Sequence, residues 1–129
     1  AERDELGVVA DQVGAPTYAV DLATALLEIA RQVRGLGTDD RRWGITHLTN
    51  AGTASWADLA AATLAASAGF GGRVIPVRPI RTADYPTAAR RPANSRLDCG
   101  RAAEVFGIVM PPWQDAVARC VGEILGQRR

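Results

Sequence analysis

Lysine is absent: all fifteen cationic side chains among the 129 residues are arginine. Mechanisms that turn on a lysine amine are thereby excluded, among them a Walker A phosphate loop, a Schiff base and a Tyr-x-x-x-Lys pair. Cysteine is nearly as scarce. Cys99 and Cys120 cannot build a disulfide scaffold and read as two reduced thiols. Together with the single histidine, His47, they are too few and too scattered for the usual structural zinc site. No Gly-x-Gly-x-x-Gly occurs among the thirteen glycines, so the dinucleotide fingerprint is missing. Gly69-Phe70-Gly71-Gly72 is the nearest approach, and it reads as a turn after a helix. Ser55, Ser67 and Ser95 lie in no Gly-x-Ser-x-Gly context.

Charge of either sign is not in excess. Fifteen basic and fourteen acidic residues leave a net charge of +1, which argues against a nucleic-acid binder resting on bulk charge. No apolar run reaches the roughly 18 residues that a membrane helix needs. The start, Ala1-Glu2-Arg3-Asp4-Glu5, is charged and lacks the apolar core of a signal peptide. A cytoplasmic location is the expectation. Because the one methionine is Met110, we also expect a processed product or a piece of a longer polypeptide.

Hydrophobic residues make up 47% and charged residues 22%, an ordinary globular composition for one domain. Leu6 to Ala10 is an apolar run that predicts a strand, closed by a turn from Asp11 to Thr17. Leu22, Leu26, Leu27, Ile29, Ala30 and Val33 fall on one helical face, ended near Gly35 and Gly37. Asp39 to Arg42 reads as a solvated loop. Trp43 to Asn50 alternates like a strand, with His47 as a structural histidine within it. Ser55 followed by Asp58 is a capping-box relative that opens an alanine-rich helix to about Ala68. Val74 to Val77 predicts a short strand, and its proline an edge position.

Pro79 to Asn94 reads as an irregular, ordered loop. Asp98 to Phe106 predicts a short helix ended by Gly107. A last helix from Pro111-Pro112-Trp113 should expose Gln114, Asp115 and Arg119 and bury Val117, Val121, Ile124 and Leu125. Asp21, Glu28, Asp58, Glu104 and Glu123 take a solvated helix face by default. The alternation of strands and helices indicates an α/β or α+β domain.

Two loops carry the chemistry that remains. Tyr85 to Leu97 holds Arg90, Arg91, Asn94, Ser95 and Arg96. Guanidinium forks suit diphosphates because they bond bidentately and stay charged, and prolines reduce the entropy lost on ordering. Anion binding and a merely structural loop both fit these residues. The Asp11 to Thr17 turn follows a strand's carboxyl end, where α/β proteins place ligands.

These two loops also carry a resemblance. Asp11-Gln12-Val13-Gly14-Ala15-Pro16-Thr17 resembles the Asp-Gln-x-Gly-x-Pro-Thr segment of dTDP-4-dehydrorhamnose reductases. His47-Leu48-Thr49-Asn50-Ala51-Gly52 is similar to that family's Tyr-His-Leu-x-Asn-x-Gly motif. Tyr85-Pro86-Thr87 and Arg91-Pro92-Ala93-Asn94-Ser95-Arg96-Leu97 resemble its Tyr-Pro-Thr and Arg-Pro-x-Asn-Ser-x-Leu signature, and Phe106-Gly107-Ile108 and Pro112-Trp113 continue the match. The resemblance implies an α/β fold, namely the carboxyl-terminal part of an extended short-chain reductase. Residues 1–50 would be the last strand–helix–strand portion of its nucleotide-binding sheet, and 51–129 its small substrate-binding domain.

The resemblance further implies an NADPH-dependent parent enzyme that reduces dTDP-4-dehydro-6-deoxy-L-mannose to dTDP-L-rhamnose. Its cofactor and its catalytic tyrosine and lysine would lie in the other half, leaving this chain inactive alone. Arg91 and Asn94 become the expected substrate-side groups, with Gln12 and Thr17 lining the cleft and Arg90 a weaker candidate. Some family members bind Mg²⁺ through carboxylates at a dimer interface. Glu123 could take part, although Val20 stands where such members can have an acid. A homodimer is expected on the further ground that unpaired strand edges favour association. The alternatives are a non-catalytic binding or regulatory module of the same fold, or a reductase for a different nucleotide-sugar.

Overall fold

The computed structural model describes residues 4–127, so Ala1 to Arg3 of the charged start lie outside it. Strand β1 (Leu6–Val9) pairs in parallel with a strand 71 residues downstream, Val77–Ile80, with Leu6 opposite Val77 and Val9 opposite Ile80. The predicted strand at 74–77 is therefore displaced. Leu6 and Ala10 donate their amides to the carbonyls of Pro76 and Ile80 at 3.0 and 2.9 Å, which sets the register at 77–80. Pro79, which has no N–H to donate, is accommodated because this strand pairs on one side only among the described residues. Strand β2 (Val13–Gly14) pairs antiparallel with β3 (Ala54–Ser55), and Val77–Ile80 is β4.

Helix α1 spans Ala19–Val33, α2 Trp56–Ala68, α3 Gly100–Phe106 and α4 Trp113–Gly126. The start of α2 is as the sequence predicts: Ser55 accepts the Asp58 amide while Asp58 accepts the Ser55 amide. α3 ends at Gly107, whose φ of +68° is readily adopted only without a side chain. The expected irregular loop after Pro79 contains the end of β4 and a 3₁₀ turn over Thr82–Asp84.

Helix α2 packs against α4 and over the β1–β4 pair. The buried apolar residues of these two helices are Ala57 on α2 and Trp113, Ala116 and Val121 on α4. Gly52 makes room for the Trp113 indole: a Cβ there would meet Trp113 Cδ1 at 3.1 Å, and φ is +89°. The exposed area of 8823 Å² exceeds the roughly 6,600 Å² that a compact monomer of this length would show.

Several expectations change with the tertiary structure. Residues 43–50 form no ladder, because no described strand lies beside them. Arg101 holds this stretch instead, bonding the carbonyls of Arg41 and Trp43 at 2.9 Å and Thr46 Oγ1 at 3.3 Å. His47 is exposed there and not buried in a strand. Leu26, Leu27 and Ile124, expected to be covered, are 51%, 69% and 52% exposed. Asp21 moves the other way and is buried. The loop at 39–42 is half-buried at Asp40 and Arg42. The Arg42 guanidinium grips both Asp40 oxygens and reaches the Gln32 carbonyl near the end of α1. That hydrogen bonding holds the Asp40 carboxyl down to a pKa of about 2.

Candidate functional site

Parallel pairing places the carboxyl ends of β1 and β4 side by side, and both candidate loops leave from that edge. Asp11 follows β1 and accepts the Thr82 amide at 2.9 and 3.0 Å and the Thr82 hydroxyl at 2.6 Å. The hydroxyl bond holds the Asp11 carboxyl below the usual carboxylate range. Gln12 Nε2 donates to the same Thr82 oxygen at 3.0 Å. Asp11 and Gln12 thus tie the two strand ends together at the rim of a cleft.

The segment after Arg91 is drawn onto β2 almost as a further strand. Val13 N donates to Ala93 O and Ser95 N to Val13 O, both at 2.9 Å. Gly14 permits this approach, since a Cβ at that position would lie 2.8 Å from Ser95 Oγ. Between β2, the start of α2 and this segment lies a cleft of about 300 Å³, bordered by Gln12, Gly14, Trp56, Leu59, Arg91 and Ser95. Trp56 is 58% exposed and Arg91 is exposed. A flat apolar indole close to a permanent cation suits a ligand with one planar apolar end and one anionic end.

The four expected site residues separate into groups. Gln12 and Arg91 border this cleft. Asn94 faces a neighbouring cavity of about 660 Å³ that also borders Thr49, Arg96, Cys99 and Met110. Its Oδ1 accepts the Arg96 backbone N–H at 3.1 Å and Arg96 Nε at 2.9 Å. Thr17 borders neither cavity. Its hydroxyl donates to the Ala15 carbonyl at 3.0 Å and accepts the Asn50 amide at 3.3 Å, one step behind the cleft wall. Arg90 borders neither cavity either.

A buried polar network behind the cleft escaped sequence reasoning. Asn50 is 1% exposed; its Oδ1 accepts the Tyr18 amide at 2.8 Å, and its Nδ2 donates to Asp21 Oδ2 at 2.8 Å and Pro111 O at 3.0 Å. Arg119 clamps Asp21 bidentately at 2.6 and 2.7 Å, holding the Asp21 carboxyl below its ordinary range. The Arg119 guanidinium also sits 5.6 Å from the Tyr18 ring centroid. Tyr18 donates its hydroxyl to Glu123, which pushes the phenol up to about 12. The signals in the sequence were the asparagine at the end of the alternating stretch and its place in the Leu-x-Asn-x-Gly motif, and nothing local names its partners.

The glycine turn at 69–72 is no dinucleotide site, and among the described residues no cluster stands ready for a metal ion. The amides of Phe70, Gly71 and Gly72 bond back to Ser67 and Ala68 within their own turn, so they cannot cradle a dinucleotide pyrophosphate. No three His, Cys, Asp or Glu side chains come together to hold a metal ion, and Glu123 is engaged by Tyr18. The Mg²⁺ expectation is therefore not supported. Cys99 and Cys120 are free thiols, and no described helix is long and apolar enough to cross a membrane.

The chain is similar to named reductases over nearly its whole length. The dTDP-4-dehydrorhamnose reductase of Sinorhizobium fredii is 46% identical over 123 residues, covering 95% of this chain and 41% of that protein. A solved dTDP-4-dehydrorhamnose reductase from Clostridium acetobutylicum superposes with a TM-score of 0.77 at 30% identity, covering 95% of this chain and 39% of its own. The Bacillus anthracis reductase, solved in complex with NADP, gives 0.70 at 26% identity, covering 98% and 39%. The chain thus spans about two fifths of the length of these relatives. Its α/β fold is that of the corresponding part of the solved reductases. A family model described as the RmlD substrate binding domain matches residues 1–125, a span that takes in both loops of the cleft, and the chain belongs to that family.

Proposed function

We propose that the chain is the substrate-binding part of an NADPH-dependent reductase that converts dTDP-4-dehydro-6-deoxy-L-mannose to dTDP-L-rhamnose, and that it is inactive by itself. The observation that carries this reading is the cleft in which Arg91 and Gln12, from the two signature loops, face Trp56. NADPH, bound elsewhere in the reductase, supplies the hydride to the C4 ketone. The present residues bind and orient. Arg91 pairs with the diphosphate, Trp56 offers its face to the base, Gln12 reads a polar edge, and Asn94 serves the sugar from the neighbouring cavity. Thr17 stiffens the loop from behind. Holding the ketone in place is itself a large contribution to rate, because it removes translational and rotational freedom before the chemical step.

Inactivity alone is supported by the missing lysine, without which a Tyr-x-x-x-Lys pair cannot be built. It is also supported by the apolar side chains left uncovered on α1, with Val20 at 49% and Leu27 at 69% exposure. The reading includes a division at residue 50, with 1–50 serving the nucleotide-binding sheet and 51–129 the substrate. The two parts share a sheet, since β1 pairs with β4. It also includes a cytoplasmic location and a homodimer, the latter supported by the outer edges of β1 and β4, which pair with no strand among the described residues.

Two measurements test the reading. Calorimetry should show weak dTDP binding to the chain, and no heat at millimolar ligand would refute a preformed subsite. NADPH oxidation on dTDP-4-dehydro-6-deoxy-L-mannose should proceed with a reductase carrying this sequence together with a nucleotide-binding half, and not with the chain alone. Turnover by the chain alone would refute the division of labour. Silence of the complete reductase on that ketone would refute the substrate.

A further inference from the structure

Asn50 is the most enclosed polar side chain of the described residues, and its hydrogen bonds join the back of the cleft to α1 and to the segment before α4. Oδ1 holds the Tyr18 amide at 2.8 Å, and the backbone amide holds Thr17 Oγ1 at 3.3 Å. Thr17 in turn fixes the Ala15 carbonyl, and Ala15 borders both cavities. On its far side, Nδ2 anchors to Asp21 and to the Pro111 carbonyl just before α4. The neighbouring Ala51 continues the tie, donating to Pro111 O at 2.9 Å and accepting from Trp113 N at 3.0 Å. The loop from Gln12 to Thr17 therefore hangs from one asparagine at its downstream end.

We propose that Asn50 is a positioning residue, holding the ligand-facing loop 12–17 in its binding geometry through the Tyr18 amide and the Thr17 hydroxyl. Asn50 borders the larger cavity, but with 1% of its surface exposed and both ends of its side chain bonded within the protein it acts through the loop and not on the ligand. The structural part of the proposal stands without the assigned substrate; its consequence for dTDP binding rests on the proposed function.

The test is Asn50→Asp, which keeps the shape and replaces the Nδ2 donor by an oxygen. The new carboxylate would lie 2.8 Å from Asp21 Oδ2. It would meet Asp21 of α1 directly, with Arg119 of α4 bound to that Asp21 and Glu123 of α4 bound to Tyr18, the residue before α1. Repulsion from Asp21 and burial favour its protonated form, Arg119 opposes them, and protonation restores a donor. Amide exchange, corrected for its intrinsic pH dependence, should rise about tenfold at residues 12–18 near pH 8 and recover towards the parent near pH 5.

The dTDP affinity should fall and recover over the same range, expressed as a ratio to the parent protein at each pH. Unchanged exchange at 12–18 overturns the proposal. So does a rise spread evenly over the chain, which would mark a purely structural residue, or a local rise that is the same at both pH values. Should Asn50→Asp fail to fold, Thr17→Val removes the exposed hydroxyl with its two bonds, to the Ala15 carbonyl and from the Asn50 amide. Faster exchange confined to residues 15–18 and Asn50 then supports the proposal, and no change overturns it. Absence of dTDP binding by the parent would refute the proposed function and leave the exchange test intact.

Discussion

Gly14→Ala tests how the cleft is built. The added methyl would lie 2.8 Å from Ser95 Oγ, inside van der Waals contact, so one partner must yield. If only Ser95 rotates, the loss is its hydroxyl bond to Val13 O, 3.3 Å long and worth about 0.5–1 kcal/mol. If the backbone yields, the pair of 2.9 Å bonds between Val13 and residues 93 and 95 stretches, and overpacking of this kind costs about 1–3 kcal/mol. Against either, alanine restricts the unfolded chain and offsets about 0.4–1 kcal/mol. The net expectation in urea unfolding is close to zero if only Ser95 rotates and a loss of roughly 0–2.5 kcal/mol if the backbone yields.

A several-fold weaker dTDP affinity should accompany that loss, because the displaced segment carries Arg91. The double variant Gly14→Ala/Ser95→Ala removes the atom that clashes, so the glycine substitution should cost less than about 0.5 kcal/mol in that background. If it costs as much with Ser95 absent as with Ser95 present, the contact between β2 and the 93–95 segment is not what demands glycine, and the reasoning fails.

Arg91→Ala should lower dTDP affinity by tenfold or more and leave the melting temperature unchanged, since the side chain is exposed and charge-assisted bonds to phosphate are strong; equal affinity would remove Arg91 from the site. Trp56→Ala should abolish any dTDP-induced quenching of indole fluorescence, with Trp113 buried and Trp43 outside the cleft; quenching that survives would place the base elsewhere. Asp21 has a lowered carboxyl pKa in the fold, so its contribution is present above the unfolded value near 3.8 and is lost as pH falls through the lower folded value. Asp21→Asn should flatten the acid limb of the stability profile there, and an unchanged limb would refute the assignment. Tyr18 is raised from 10.0 to about 12, so its contribution is complete below pH 10 and disappears as pH rises towards 12. Absorbance titration should lose its latest tyrosine step in Tyr18→Phe.

What the sequence determined by itself is local. Ser55 and Asp58 cap α2 because both partners lie within one turn, and Gly107 ends α3 because its own backbone must turn left-handed. The missing lysine excluded amine chemistry before any fold was known. Motifs quoted from Gln12 and Arg91 pointed to a ligand cleft, and the fold brings those two residues to the border of one cleft. What only the tertiary structure decided involves partners distant in the chain. Alternation at 43–50 describes half of a ladder, and a strand needs a neighbour to supply the other hydrogen bonds; Arg101, 55 residues from Thr46, holds the stretch in another way. The register of β4 was set by amides of Leu6 and Ala10, not by its own residues. Asp21 reads as a solvated helical acid until Arg119, 98 residues away, closes on it, and Asn50 has no legible role until Tyr18, Asp21 and Pro111 surround it. A side chain's burial and charge state depend on what the rest of the chain brings to it, and spacing along the sequence carries no record of that.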